Sequence, residues 1–155
     1  LIAEYCINNE NSACSINISN DEYYNQIVST VFTNPNNFRQ VSFGFSLRTT
    51  GNKTGESILI NIQNQKIYHY KPERTGDSYI GKSNNLNVFP GQQNKIDVIL
   101  KGSKGFVFIN DNFEFELFVG ISDEGKSRII SHYFFDDDIS NKGTIRVSNI
   151  TIYYY

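Results

Sequence analysis

The stretch Asn94–Leu117, "NKIDVILKGSKGFVFINDNFEFEL", decides the fold. Ile96, Val98 and Leu100 alternate with Lys95, Asp97 and Ile99. A period of two places the first three on one face of a strand. "KGSKG" turns the chain, Phe106–Ile109 runs back, and "NDN" turns it again. Phe113, Phe115 and Leu117 then stand in phase on a third strand. These runs predict consecutive antiparallel strands with Ile96, Val98, Leu100, Phe106 and Phe108 inward. Burial of each such side chain contributes roughly 1.5–3 kcal/mol.

The same pattern extends outward in both directions. In "QVSFGFSLR", Val41, Phe43, Phe45 and Leu47 alternate with Ser42, Gly44, Ser46 and Arg48. "SILINIQ" places Ile58, Ile60 and Ile62 in phase. Asn64-Gln65 reads as a hairpin turn, because Asn tolerates positive φ. "KIYHYKP" is the return strand and stops at Pro72. Short strand candidates follow at Tyr79–Ile80 and Leu86–Phe89. "SRIISHYFF" and "TIRVSNITIYY" flank the acidic loop "DDDISNKG". Residues 1–38 pattern least clearly: Glu4–Ile7, Ser15–Ile18 and Asp21–Phe32 read as strands, the last with spacing that a helix also satisfies. About ten to twelve short strands without a helix predict a sandwich or barrel of antiparallel strands. The 155 residues make one domain, long enough to bury a core without a metal.

Composition narrows the function. The formal net charge is -2, and Lys and Arg are scattered. That excludes the basic field of a nucleic-acid binder. No apolar run approaches the ~18 residues of a membrane span, so membrane insertion is not expected. Roughly twenty residues are Asn, a type that favours turns. The chain begins at Leu1 and has no Met, which reads as a processed N-terminus with any signal peptide removed. Cys6 and Cys14 read as a local disulfide in an oxidising compartment, closing a hairpin between neighbouring strands. Asn17, Asn52 and Asn149 head Asn-x-Ser/Thr sequons and mark candidate glycosylation sites. Together these point to a secreted or cell-surface protein.

Residues 40–155 resemble the concanavalin A-like lectin/glucanase superfamily, in its laminin-G-like and bacterial surface-protein branch. The resemblance rests on Asn94, the strand Ile96–Leu100, Gly102, the aromatic strand Phe106–Ile109 and the turn Asn110-Asp111. His132–Asp138, Gly143-Thr144 and Val147–Tyr153 complete it. Asp111 stands where the family usually has Gly. The resemblance implies an all-β, two-sheet antiparallel sandwich of the concanavalin A-like jelly-roll type. For activity it leaves lectins, glycosidases and adhesion modules open.

Candidate sites divide by chemistry. Glu114 and Glu116, two apart on a strand, would share a face, as a pair of glycosidase carboxyls must. Asn112 where a third acid would stand, and the absence of Trp, argue against hydrolysis. Asp136, Asp137 and Asp138, with Asp111, Asn112 and Asp123 in nearby turns, are the candidate calcium ligands; no other cofactor is expected. His69 and His132 lack a nucleophile motif. The aromatic cluster Tyr68, Tyr70 and Tyr79, with His69 and Arg74, is the candidate ligand site, since Tyr stacks on sugar rings and anchors interfaces. The expected function is a non-catalytic extracellular module binding a glycan or surface protein. The alternative is a self-associating fibre or coat subunit whose terminal run "ITIYYY" completes a neighbour's sheet.

Overall fold

The structure is a computed structural model that describes residues 3–6, 13–18, 24–34, 41–49, 56–70, 79–119, 126–133 and 144–155, with side chains described for 18, 24–34, 42–49, 56–70, 80–119 and 147–155. These residues form strands and their connections, with no helix among them. In chain order the strands are β1 (Ala3–Cys6), β2 (Ala13–Asn17), β3 (Gln26–Thr33), β4 (Val41–Thr49), β5 (Glu56–Asn61), β6 (Lys66–Tyr70), β7 (Tyr79–Lys82), β8 (Gln93–Lys101), β9 (Lys104–Ile109), β10 (Asn112–Phe118), β11 (Lys126–Tyr133) and β12 (Thr144–Tyr154). They make two six-stranded antiparallel sheets, in the orders β1-β12-β3-β8-β9-β10 and β2-β11-β4-β5-β6-β7. The all-β sandwich expected from the alternation is what the chain forms.

Phase decides the core. Val28 and Phe32 of the first sheet, with Ile96, Val98, Leu100, Val107 and Ile109, meet Phe43, Phe45, Leu47, Ile58, Ile60 and Ile67 of the second. Phe32 stacks on Phe43 at 4.2 Å between ring centroids and meets Phe45 edge-on at 5.9 Å. Three expectations need correction. Phe106 and Phe108 are half-buried on the outer face, and Val107 and Ile109 take the core positions. The β8–β9 turn pairs Lys101 with Lys104 and Leu100 with Gly105, so an inward Leu100 makes Gly105 and Val107 inward. Phe113, Phe115 and Leu117 do not share a face. A bulge between Phe113 and Phe115 leaves Phe113 exposed and turns Phe115 and Leu117 to the core. Residues 86–89 form a loop anchored by buried Leu86 rather than a strand.

The N-terminal hairpin expected for the cysteines is not formed. Cys6 ends β1, which pairs with β12, and Cys14 lies in β2, which pairs with β11 of the other sheet. The terminal run is paired along one side, where Thr151–Tyr154 bond to β3. β12 lies inside the first sheet, held by β3 along one side and by β1 from Thr144 to Val147 on the other.

An asparagine hub fixes the loop between β7 and β8. Asn94 is fully buried. Its Nδ2 donates to Asn34 Oδ1 at 3.0 Å and to the Asn87 carbonyl at 3.0 Å. Its Oδ1 accepts from the Asn87 amide at 2.8 Å and from Asn110 Nδ2 at 3.1 Å. Asn34 Nδ2 in turn donates to the carbonyls of Asn87 and Phe89. Buried polar side chains are stable only when bonded in this way. Asn110, at φ 50, and Asp111, at φ 65, make the β9–β10 turn, so the Asp in place of the usual Gly is tolerated in the left-handed region.

Candidate functional site

The second sheet carries the candidate site on its outer face. Phe43, Phe45, Leu47, Ile58, Ile60 and Ile67 point into the core. Their alternates Ser42, Gly44, Ser46, Ser57, Leu59, Asn61, Lys66, Tyr68 and Tyr70 therefore belong to the opposite face. Register arranges that face in three cross-strand rows. One runs Arg128–Ser46–Ser57–Tyr70 and the next Ile130–Gly44–Leu59–Tyr68–Tyr79. The third runs His132–Ser42–Asn61–Lys66–Lys82.

The rows make a low floor beside an aromatic wall. Ser42, Ser46, Ser57 and Asn61 are buried and short. Gly44 has no room for a side chain, because a Cβ there would collide with the Ile58 carbonyl oxygen. Tyr68 and Tyr70 are half-buried on β6, with ring centroids 6.2 Å apart and planes 24° from parallel. Ser57 Oγ donates to Ser46 Oγ at 3.2 Å, and Asn61 Oδ1 accepts from the Asn64 amide in the β5–β6 turn. Ser42 Oγ is buried with no hydrogen-bond partner. The half-buried stacked phenols present a flat apolar surface of the kind on which a sugar ring rests, beside small polar residues that are themselves buried.

Tyr68 and Tyr70 thus come together, and Tyr79 occupies the register position opposite Tyr68. His69 does not join them. It faces the interior with Ile67, and its Nε2 lies 2.6 Å from Glu56 Oε2, both side chains buried. Arg48 lies nearby. It sits at φ 55 where the β4–β11 register shifts, which sends its side chain inward directly after Leu47. Its Nε donates to the Tyr24 carbonyl at 2.9 Å and its Nη2 to the Gly102 carbonyl at 2.7 Å, and the guanidinium lies 4.6 Å from the Tyr24 ring. Burial lowers the Arg48 pKa, against the opposing pull of Tyr24 and Glu56. This buried group ties the sheets together and leaves His69 no part in the outer face.

The carboxylate pair is also corrected. Glu114 is the extra residue of the β10 bulge, and its Oε1 accepts from Ser83 Oγ at 2.8 Å and Asn85 Nδ2 at 2.7 Å. Glu116 lies on the outer face of the first sheet, 2.6 Å from Lys104 Nζ. The two acids serve different partners and do not flank a common bond. Arg74, Asn52, Asp123 and Asp136, Asp137 and Asp138 lie outside the described residues. Among the described residues no group of three or more His, Cys, Asp or Glu is placed to hold a metal. Asp111 instead pairs with Lys95 at 2.5 Å. Asn149 is exposed at φ 53 where the β12–β3 register shifts, and Asn17 closes β2.

Ser42, Ser46, Ser57, Asn61, Lys66 and Lys82 are the residues that sequence reasoning did not single out. The signal was present, since Ser42, Gly44 and Ser46 are the polar phase of an alternating strand. Their alignment with Tyr68 and Tyr70 is a matter of inter-strand register, which one sequence does not display.

The sandwich matches known structures. The carbohydrate-binding module CBM66 from Bacillus subtilis superposes with a TM-score of 0.68 at 12% identity, over 92% of this chain and 83% of that one. The fold is the concanavalin A-like jelly roll. Chicken galectin 2 gives a TM-score of 0.62 at 14% identity, covering 90% of this chain and 97% of the galectin. A sialidase matches 99% of this chain with a TM-score of 0.70 at 6% identity, but the matched part is 15% of that enzyme. No protein-family model matches the chain, and no curated protein matches it in sequence. At these identities the likeness is one of fold. No helix among the described residues is long and apolar enough to cross a membrane.

Proposed function

We propose that this chain is a glycan-binding module, acting without catalysis outside the cell, and that it binds on the outer face of the second sheet. The observation that carries this reading is the stacked Tyr68–Tyr70 pair beside a floor of Ser42, Gly44, Ser46, Ser57 and Asn61. The fold it shares with a carbohydrate-binding module and a galectin supports it. So do the different partners of Glu114 and Glu116, which speak against this pair as the two carboxylates of a hydrolase. The sequons and the two cysteines support the extracellular location.

The test is a glycan array probed with and without calcium, followed by titration of the hits. Tyr68→Ala is expected to weaken binding by roughly 30-fold, as loss of an aromatic anchor of about 2 kcal/mol requires, with an unchanged circular dichroism spectrum. Blank arrays with folded protein, or full affinity in Tyr68→Ala and Tyr70→Ala, would defeat the reading.

A further inference from the structure

The outer face of the first sheet departs from the usual pattern. An antiparallel sheet with one face toward water turns polar side chains outward. Here β9 turns Phe106 and Phe108 outward, because Val107 and Ile109 hold the core. Register lines these rings up with apolar neighbours. One cross-strand row runs Tyr153–Ile27–Ile99–Phe106–Glu116. The row on one side of it holds Asp97, Phe108 and Phe113, and the row on the other holds Lys101, Lys104 and Phe118. Phe113, Phe118 and Tyr153 are 56%, 68% and 60% exposed, and Phe113 meets Phe108 edge-on at 5.5 Å.

The band has the size of an interface. Its three exposed rings leave about 370 Å² in water at about 200 Å² per ring. The half-buried Ile27, Ile99, Phe106 and Phe108 join them into one patch. With the charged side chains at its border, the patch approaches the roughly 800 Å² per partner of a standard interface. Contiguous apolar surface on this scale marks a contact site.

Register and charge identify the occupant. A two-fold contact uses the same surface on both partners. An axis along the Tyr153–Phe106 row lays each flanking row over the opposite flanking row of a second copy. Lys101 then faces Asp97 of the second copy, Phe118 faces its Phe113, and Lys104 lies over its Phe108 ring. Lys101 is exposed and has no carboxylate partner among the described residues, whereas Lys95 and Lys104 have theirs. Along the axis the apolar residues meet their own copies. Glu116 does so at the rim, where Lys104 at 2.6 Å offsets its charge. Sheets stacked face to face lie about 10 Å apart with strands within about 30°, which brings these pairs into reach.

We infer that two copies of this chain associate back to back through the outer face of the first sheet. The contact is independent of the glycan-binding reading. It turns both second sheets away from each other, so the two Tyr68–Tyr70 faces lie on opposite sides of the dimer, an arrangement that would engage a repeating polymer bivalently.

The experiment is sedimentation velocity of the whole chain over about 1–300 μM, which spans modest homodimer affinities. The mass should rise from one chain to two. Phe113→Glu and Phe118→Lys, both at exposed positions, should each leave a folded monomer by circular dichroism. Mixing these two variants should restore a dimer, because one contact becomes Glu against Lys and the other remains Phe against Phe. Lys101→Glu should weaken the parent dimer ten-fold or more. Monomer at every concentration refutes the inference. If that monomer bound a polysaccharide and lost it with Phe113→Glu, the face would belong to the polysaccharide instead. A dimer that survives both phenylalanine substitutions lies elsewhere and refutes it. Assemblies larger than two also refute it, since a two-fold contact closes.

Discussion

Replacing Asn94 with Ala tests the hub that fixes the loop between β7 and β8. The side chain makes four hydrogen bonds, to Asn34, to the Asn87 carbonyl, from the Asn87 amide and from Asn110. Asn110 Nδ2 keeps its bond to the Asn85 carbonyl at 2.7 Å, and the Asn87 carbonyl keeps Asn34 Nδ2. The Asn87 amide and Asn34 Oδ1 lose the Asn94 partner. At about 1 kcal/mol for each bond lost, and about 1–3 kcal/mol for a buried group left unsatisfied, the expected loss is about 3–5 kcal/mol. Typical domains have only about 5–15 kcal/mol in total. The assay is equilibrium urea unfolding followed by tyrosine fluorescence and circular dichroism, since the chain has no Trp. The midpoint should fall while the slope stays constant. Asn94→Asp is the sharper variant. It keeps an acceptor for the Asn87 amide but turns a carboxylate oxygen toward two other acceptors. Its carboxyl is therefore favoured neutral in the fold and its pKa is raised. The protonated variant is the more stable form, and stability falls as pH rises above about 3.9, the ordinary Asp value. A loss under about 1 kcal/mol for Asn94→Ala, or an Asn94→Asp variant as stable at pH 7 as at pH 3 relative to the parent, would refute the hub's role.

Gly44→Ala should cost about 1–3 kcal/mol or more by forcing β4 from β5, because its Cβ meets the Ile58 carbonyl; a thermal melt measures it. Glu56→Ala removes the carboxylate hydrogen-bonded to the buried His69 and should cost about 1–3 kcal/mol, the range for a buried polar group left unsatisfied, read from the urea midpoint. A bridge between Cys6 and Cys14 would join the edge strands of opposite sheets. Mass spectrometry of unreduced protein should show the peptide holding both cysteines lighter by two hydrogens, and two free thiols would remove that support for an extracellular location.

Alternation in residues 41–47 and 94–100 was enough to read the sandwich. It failed where both phases are apolar. In Gly105–Ile109 the phenylalanines and the aliphatic residues each satisfy a period of two, and only pairing with β8 decides between them. It failed again at Glu114, where one inserted residue reverses the phase of everything before it. At the site, Tyr68 and Tyr70 were legible as a pair. His69 was misplaced because the chemistry of a residue does not reveal its phase, although its position between them on a strand assigns it to the opposite face.

The order of strands has a consequence for synthesis. β11 lies between β2 and β4, and β12 lies between β1 and β3. Each sheet is therefore completed by pairing early residues with late ones, as in Ala3 with Val147. Such remote pairing slows folding. It also means that β3 and β4 leave the ribosome long before the strands that cover their edges. Roughly 80 residues separate the end of β4 from the start of β11, about 4–16 s of translation at about 5–20 residues per second. During that interval the nascent chain exposes two apolar strands with open edges, β3 and β4. Its yield in a cell then depends on whether other chains or chaperones reach those edges first.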